Sequence, residues 1–214
     1  MSLSDRIEYR TYTITLVEPI LGSLPSQRLV YQSQVAAKAP EPDVEGEEEM
    51  RMLPGEELEL PRTTVFLRDE EDNCCLLDYQ LMGFMKEAGN TLKGIVEYAV
   101  SSKGARSKKT GIKNLRSKLS QFLYIGPRII PLHRKPDGVY ERPLQAMTAR
   151  GPRTCLASSE IIHPEVSFEI LIGLLPHEEL SWVVIEQLLE YGQFKGLGQF
   201  RGGGYGRFTF DLAS

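Results

Sequence analysis

The sequence of 214 residues contains no apolar run that approaches the ~20 residues of a membrane helix, and its first residues lack the apolar stretch of a signal peptide. We therefore expect a soluble, cytoplasmic protein. Cysteines are few: Cys74 and Cys75 are adjacent, and Cys155 stands alone, with no Cys-x-x-Cys motif and no histidine partner at zinc-site spacing. This pattern predicts reduced thiols, no metal site and no cofactor.

The sequence also lacks recognisable catalytic motifs. No glycine-rich loop ends in the Gly-Lys-Ser/Thr of a P-loop, and no nucleophile, base and orienting residue form a known pattern. His163 and His177 are interpreted as structural or solvated, which leaves His133, in a basic segment, as the histidine best placed for acid-base chemistry. The carboxylates around Asp43 are interpreted as a solvated loop rather than a divalent-metal site. We assign no catalytic residue, and the sequence favours a protein that is not an enzyme.

Charge is unevenly distributed along the chain, although the net charge is only −4. Residues 41–59 hold nine acidic residues and one arginine, whereas residues 98–136, here called the basic segment, hold ten lysines or arginines and no acid. Segregation of this kind predicts a locally positive surface on a protein that is acidic as a whole. We interpret residues 34–62 as an acidic insertion and residues 100–142 as a basic insertion in a single domain that spans residues 1–214.

Hydrophobic periodicity predicts alternating strands and helices. Residues 10–17 alternate threonines with apolar residues, as a half-buried strand does, and apolar residues recur at three- and four-residue spacing from 78 to 99. Asp78 is the expected N-cap of that helix. The pattern further predicts an amphipathic helix over 112–122, a hairpin with arms 144–149 and 155–162, a strand over 166–172, a helix over 176–191 and a final strand over 207–212.

These elements follow the order β-α-β-β-α-β. The sequence therefore predicts an α+β, ferredoxin-like (RRM-like) fold with insertions, in which two helices cover one face of an antiparallel sheet.

Residues 195–208, here called the glycine-rich segment, contain six glycines, three cations and three aromatic residues. Glycines in such a cluster allow close backbone approach and positive φ. The segment leaves a helix and enters a strand, the reverse of a Rossmann or P-loop element. Two interpretations stay open: a ligand-binding loop, or a turn that serves packing alone.

The run Gly-Leu-Gly-Gln-Phe-Arg-Gly-Gly-Gly-Tyr-Gly-Arg-Phe at 196–208 resembles the C-terminal glycine-rich signature of the RAMP (repeat-associated mysterious protein) superfamily. Residues 12–22 resemble the opening strand of that group, and residues 81–88 resemble the segment that begins its first helix. The chain departs from the pattern of the CRISPR backbone subunits in two places. Leu77-Asp78-Tyr79 stands where they carry Pro-Gly-Ser/Thr, and Lys86 stands where they carry arginine.

The resemblance implies a single-stranded RNA-binding, CRISPR-associated or mobile-element ribonucleoprotein component, with DNA as another possible ligand. The alternative is a structural subunit that self-associates as an oligomer through complementary charged surfaces, and we expect protein partners in either case. The candidate nucleic-acid-binding residues are the cations and glycines of three regions: Lys103, Arg106, Lys108, Lys109, Lys113, Arg116, Lys118, Arg150, Arg153, Gly196, Gly198, Arg201, Gly202, Gly203, Gly204, Tyr205, Gly206 and Arg207.

Overall fold

A computed structural model describes residues 4–26, 49, 51–54, 63–102, 105–148 and 151–213. The strands are β1 (Glu8–Leu16), β2 (Ile20–Leu21), β3 (Leu24–Pro25), β4 (Thr63–Val65), β5 (Leu67–Arg68), β6 (Cys74–Leu77), β7 (Glu97–Ser102), β8 (Ala105–Thr110), β9 (Leu123–Gly126), β10 (Ile129–Pro131), β11 (Gly138–Thr148), β12 (Gly151–Ile162), β13 (Ser167–Leu174) and β14 (Phe208–Leu212). The helices are α1 (Asp78–Leu92), α2 (Leu115–Phe122) and α3 (Trp182–Glu190).

The central sheet has the strand order β14-β1-β13-β9, and all of its pairs are antiparallel. The threonine alternation explains β1: Tyr12, Ile14 and Leu16 are buried, while the threonines between them lie on the other face. Helices α1 and α3 cover the buried face, where Tyr12 contacts Trp182 of α3 and Phe84 of α1 contacts Phe208. Taken along the chain, β1, α1, β9, β13, α3 and β14 have the predicted β-α-β-β-α-β order, and the α+β class is confirmed.

The register of the sheet defines two ends. Leu16 pairs with Phe208 where β1 ends and β14 begins, which we call the loop end. Glu8 pairs with Leu174 at the opposite end of the strands, which we call the basic end. The eight residue steps between Glu8 and Leu16 separate the two ends by about 26 Å, at ~3.3 Å per residue.

The strand beside β13 is not the one expected from the sequence. The predicted hairpin forms as β11 and β12, but it belongs to a separate sheet with β2, β3 and β4. The place next to β13 is taken by β9, which follows α2 directly. The apolar positions of β9 follow those of α2 without a break, and its four residues are too few to show the two-residue period of a strand. The change from helix to strand is therefore not visible in the sequence.

Both main helices are shorter than the sequence pattern indicates. Helix α1 ends at Leu92, and residues 97–102 form β7 instead of a last helical turn. Helix α3 begins at Trp182 rather than at Pro176. Ser181 has an extended backbone, and residues 176–181 are not helical. Trp182 is packed, as expected: its indole N–H donates to Glu8 at 2.7 Å.

Strands β7 and β8 form a hairpin over residues that the sequence pattern assigns partly to the end of the first helix and otherwise to no element. Lys108 and Lys109 therefore lie on β8, and helix α2 is limited to residues 115–122. Leu115 and Leu119 of α2 pack under Gly89 of α1, where a Cβ would lie 2.6 Å from the Leu119 side chain. The absence of a side chain at Gly89 is thus what permits α2 to approach.

A piece of the predicted acidic insertion is packed rather than solvated. Glu49 is 1% exposed and accepts a hydrogen bond from Arg128, while Leu53 is buried in a small second core beside Val65 and Leu77. The rest of residues 34–62 lies outside the described residues. Among the described helices, none is long and apolar enough to cross a membrane.

Candidate nucleic-acid interface

The glycine-rich segment closes onto itself at the loop end of the central sheet. The Leu197 N–H donates to the Gly206 carbonyl at 2.9 Å, and the Gly206 N–H donates to the Pro19 carbonyl at 2.7 Å. The Arg207 carbonyl accepts the N–H of Val17 at 2.9 Å. These bonds fasten the segment to the turn that follows β1.

Two glycines are required for this closure. A Cβ at Gly196 would lie 2.0 Å from the Gly206 carbonyl carbon, and a Cβ at Gly206, where φ is +70°, would lie 2.1 Å from the Leu197 oxygen. No L side chain fits between backbones at those distances. The packing interpretation therefore accounts for this pair, and also for Gly198, which lies against the Leu21 carbonyl.

The other half of the segment presents an aromatic cluster at the surface. Phe200 has a φ of +53° and is 42% exposed, and its ring centroid lies 5.6 Å from that of Tyr205. Tyr205 in turn lies 5.2 Å from Tyr140 of β11. The Arg142 guanidinium, also on β11, lies 4.0 Å from the centroid of the Phe200 ring. A strand and a loop that are distant in sequence thus meet in one cluster of rings and cations.

Several hydrogen-bond donors of this cluster have no partner within the described part of the protein. The Nε and Nη1 atoms of Arg142 and the Nε atom of Arg207 are buried and have no hydrogen-bond partner among the described residues. A hydrogen bond with Tyr140, aided by burial, raises the pKa of Tyr205, so its phenol stays neutral at physiological pH. Unpaired buried donors are costly, and a ligand oxygen that reaches them would offset that cost.

Arg201, by contrast, is engaged within the protein. Its Nη1 atom lies 2.6 Å from Glu87 of α1, and Lys195 approaches the same carboxylate at 3.8 Å. This ion pair ties the glycine-rich segment to the first helix. Arg201 therefore has an anchoring role within the protein.

Sequence patterns did not single out Tyr140 and Arg142. A usable signal existed, because residues two apart in a strand lie on the same face, and Tyr-x-Arg in a predicted hairpin places a ring and a guanidinium side by side. What no local pattern indicates is that this face meets Phe200. Gln199 was missed for the same reason: its side-chain oxygen accepts hydrogen bonds from the Thr64 and Ser159 hydroxyls, at 3.4 and 3.2 Å.

Helix α2 of the basic segment, with Lys118, lies at the other end of the sheet. Helix α2 leads directly into β9, whose first residue pairs with Leu174 at the basic end. Lys118 forms an ion pair with Glu179, and Lys108, which is 84% exposed, lies 3.6 Å from Glu97. Within the described residues, three exposed cations of this region have no acidic partner: Lys109, Lys113 and Arg116.

The remaining candidates are only partly described. Lys103 and Arg150 lie outside the described residues, and Arg106 and Arg153 are placed by their backbones alone, in β8 and β12. Gly202, Gly203 and Gly204 lie at the loop end with Tyr205 and Arg207, and the first two of these glycines are exposed. The structure thus brings the glycine-rich candidates together and separates them from the lysines of β8 and α2.

The histidines and cysteines show no arrangement for catalysis in the described part of the chain. The His177 Nδ1 accepts the Glu179 N–H at 3.0 Å, His163 is fixed through its backbone N–H to Asp137, and His133 is exposed. Burial raises the pKa of Cys74 to about 12 and that of Cys75 to about 11, so both remain thiols. No group of three potential metal ligands occurs among the described residues.

Comparison with known proteins adds a structural likeness. No protein-family model and no curated protein matches the sequence. The fold is similar to that of a chain in the cryo-EM structure of the Type III-B Cmr-beta bound to cognate target RNA, with a TM-score of 0.48 and 11% sequence identity. The alignment covers 99% of this chain and 61% of that chain, so this protein spans less than two thirds of its neighbour's length. At this level the likeness does not assign a function.

Proposed function

We propose that this protein binds single-stranded RNA, as a RAMP-like component of a ribonucleoprotein of the CRISPR or mobile-element type. The observation that carries the proposal is the Arg142 guanidinium held 4.0 Å from the centroid of the half-exposed Phe200 ring, beside exposed glycine backbone. The resemblance of residues 196–208 to the RAMP signature supports the same conclusion.

The cluster has the parts that recognition of a flexible strand uses. Unstacked bases of single-stranded RNA stack on aromatic side chains and on guanidinium planes. Phe200, Tyr205 and Tyr140 supply rings, and Arg142 and Arg207 supply cationic donors. Gly202, where a Cβ would meet no atom within 4 Å, lets a backbone approach closely. Each of these groups interacts with any base or phosphate, so binding at this cluster needs no sequence motif in the RNA.

The unpaired cations near the basic end supply a second, purely electrostatic contribution. Lys109, Lys113 and Arg116 are exposed and have no acidic partner among the described residues. Long exposed cations neutralise phosphates and release counterions, which gives binding a strong dependence on salt. In this proposal the loop end holds bases by stacking, and the lysines attract the backbone of the same strand.

The test is a fluorescence-anisotropy titration of a labelled RNA of about 20 nucleotides, longer than the ~4–16 nucleotides that one single-strand-binding fold covers. Replacement of Phe200 by alanine removes one stacking platform. Because stacking contributes about 1–3 kcal/mol per base, Phe200→Ala should raise the Kd by roughly 5- to 150-fold. It removes no charge, so the slope of log Kd against log salt should not change.

Phe194→Ala is the matched control. Phe194 is 71% exposed and lies six residues earlier, against the end of α1 rather than at the cluster. This variant should bind RNA as the wild type does. Equal Kd values for wild type and Phe200→Ala, or no binding by the wild type at low salt, would contradict the proposal.

A specific observation also favours a protein partner. Ile95 and Phe194 are exposed on either side of an apolar groove of about 190 Å³ between the end of α1 and the end of α3. Exposed apolar residues that flank a groove are common at protein interfaces. If the assembly role is the correct one, the purified protein should form oligomers without nucleic acid, and light scattering after size exclusion measures this directly.

A further inference from the structure

A cleft of about 270 Å³ opens beside the aromatic cluster at the loop end. It is lined by Glu18, Pro19, Gly203, Gly204, Tyr205 and Arg207. This volume lies just below the ~300–1,000 Å³ typical of pockets for whole drug-sized ligands, and it is suited to a single nucleobase. The Tyr205 ring supplies an aromatic wall, against which a planar ring can stack.

Two opposite charges line the cleft without pairing with each other. Glu18 is exposed, and its carboxylate makes no ion pair or hydrogen bond with any described residue. Arg207 makes no ion pair with a described residue either, and its Nε is buried without a partner there. The Arg207 guanidinium lies over Gly204, where a Cβ would come within 3.3 Å of the Nη2 atom. The cleft therefore offers the two carboxylate oxygens of Glu18 as acceptors and the guanidinium N–H groups of Arg207 as donors.

Among the RNA bases, guanine presents the edge that fits this combination. Its Watson–Crick edge carries the N1–H and N2–H donors side by side, followed by the O6 acceptor. A carboxylate accepts both donors in parallel, and a guanidinium donates to O6. Cytosine and adenine place a ring-nitrogen acceptor next to their amine, which repels a carboxylate, and uracil offers a single donor between two carbonyls.

We propose that this cleft recognises a guanine base of the bound strand, with Glu18 as the residue that reads the base. The inference rests on the proposed RNA binding and adds a base preference to it. Arg207 assists by donating to O6, and Tyr205 stacks on the ring. Sequence preference then arises from a residue outside the glycine-rich segment.

The experiment compares three labelled single strands of equal length by anisotropy. One is oligouridine, one carries guanosine at every fourth position, and one carries inosine, which lacks the N2 amine, at those positions. A bidentate contact to one base edge discriminates by about 1–3 kcal/mol, so the wild type should bind the guanosine strand at least about fivefold more tightly than oligouridine. The inosine strand should lie between the two.

Glu18→Gln should reduce the preference to that of the inosine strand or below while leaving the affinity for oligouridine intact, because an amide accepts only one of the two donors while Arg207 still donates to O6. Glu169→Gln is the matched control, an exposed carboxylate on β13 that should leave the preference unchanged. If the wild type binds all three strands tightly and equally, or if Glu18→Gln keeps the preference, the guanine inference is overturned and RNA binding stands. If no strand binds at low salt, both proposals fail.

Discussion

The glycines of residues 195–208 show how individual residues of one composition take different roles. Gly196 and Gly206 lie where two backbones touch, whereas a Cβ at Gly202 would meet no atom within 4 Å. Nothing in the local sequence distinguishes these glycines, since each lies in the same polar loop. Only the surrounding atoms separate the glycines that closure requires from those that leave room for a ligand.

Gly206→Ala should therefore destabilise the protein, and Gly202→Ala should not. At Gly206 a side chain meets backbone and a positive φ together, and strain of this kind costs about 1–3 kcal/mol. For a chain of this size each kcal/mol lowers Tm by roughly 2–4 °C. Thermal unfolding followed by circular dichroism measures both variants, and equal Tm values for the two would contradict this account of the loop.

At the scale of elements, a buried ion pair joins the small strands to the long hairpin. Arg68 of β5 and Glu160 of β12 form this pair, with side chains 9% and 4% exposed. Glu160 also accepts the Phe66 N–H at 2.9 Å, and Arg68 donates to the Phe66 carbonyl at 3.1 Å. The pair thus holds β12, and with it the Tyr140 and Arg142 positions of its partner β11, against the body of the protein.

Glu160→Gln should lower the free energy of unfolding by about 3–5 kcal/mol, because it leaves the Arg68 guanidinium buried without its main counter-charge. Glu97→Gln removes a carboxylate from the exposed pair with Lys108 and should change stability little, since exposed pairs contribute ~0–1 kcal/mol. Urea denaturation gives both values from the transition midpoint. A loss of stability at Glu160 no larger than that at Glu97 would show that the buried pair does not hold these strands together.

Elements were predictable from the sequence where a regular spacing of apolar residues extends over many residues without interruption. The nine residues of β1 and the apolar stripe of α1 meet this condition, and the sequence predicts both to within a few residues except for the C-terminal end of α1. Strand β9 does not, because four residues after a helix are too few to establish a period of two. The hairpin of β7 and β8 was missed because residues 97–99 continue the apolar spacing of α1, which predicts a helix up to residue 99.

For the molecule as a whole, the distribution of charge matters more than the net value of −4. Lys118 and Lys108 approach carboxylates, while Lys109 and Lys113 remain unpaired among the described residues. A positive surface therefore persists near the basic end of an acidic protein.

The combined replacement of Lys108, Lys109 and Lys113 by glutamate should weaken RNA binding and flatten its salt dependence. Each phosphate that is no longer neutralised lowers the logarithmic salt slope by about 0.7 for a single strand, so the slope should fall by up to about two units. Arginine at the same three positions keeps the charge and should keep the slope. Titrations at several salt concentrations measure this, and an unchanged slope in the glutamate variant would exclude these lysines from the RNA-binding surface.

The sequence by itself determined the half-buried first strand, the existence of the two main helices, the charge segregation and the place of the glycine-rich segment between a helix and a strand. All of these depend on residues close together in the chain. The tertiary structure alone decided that Arg142 and Tyr140 meet Phe200, that Glu18 and Arg207 share a cleft, and that helix α2 with Lys118 lies at the opposite end of the sheet. Such juxtapositions depend on which strands pair and in what register, and strand pairing is set by burial of the whole core rather than by any local pattern.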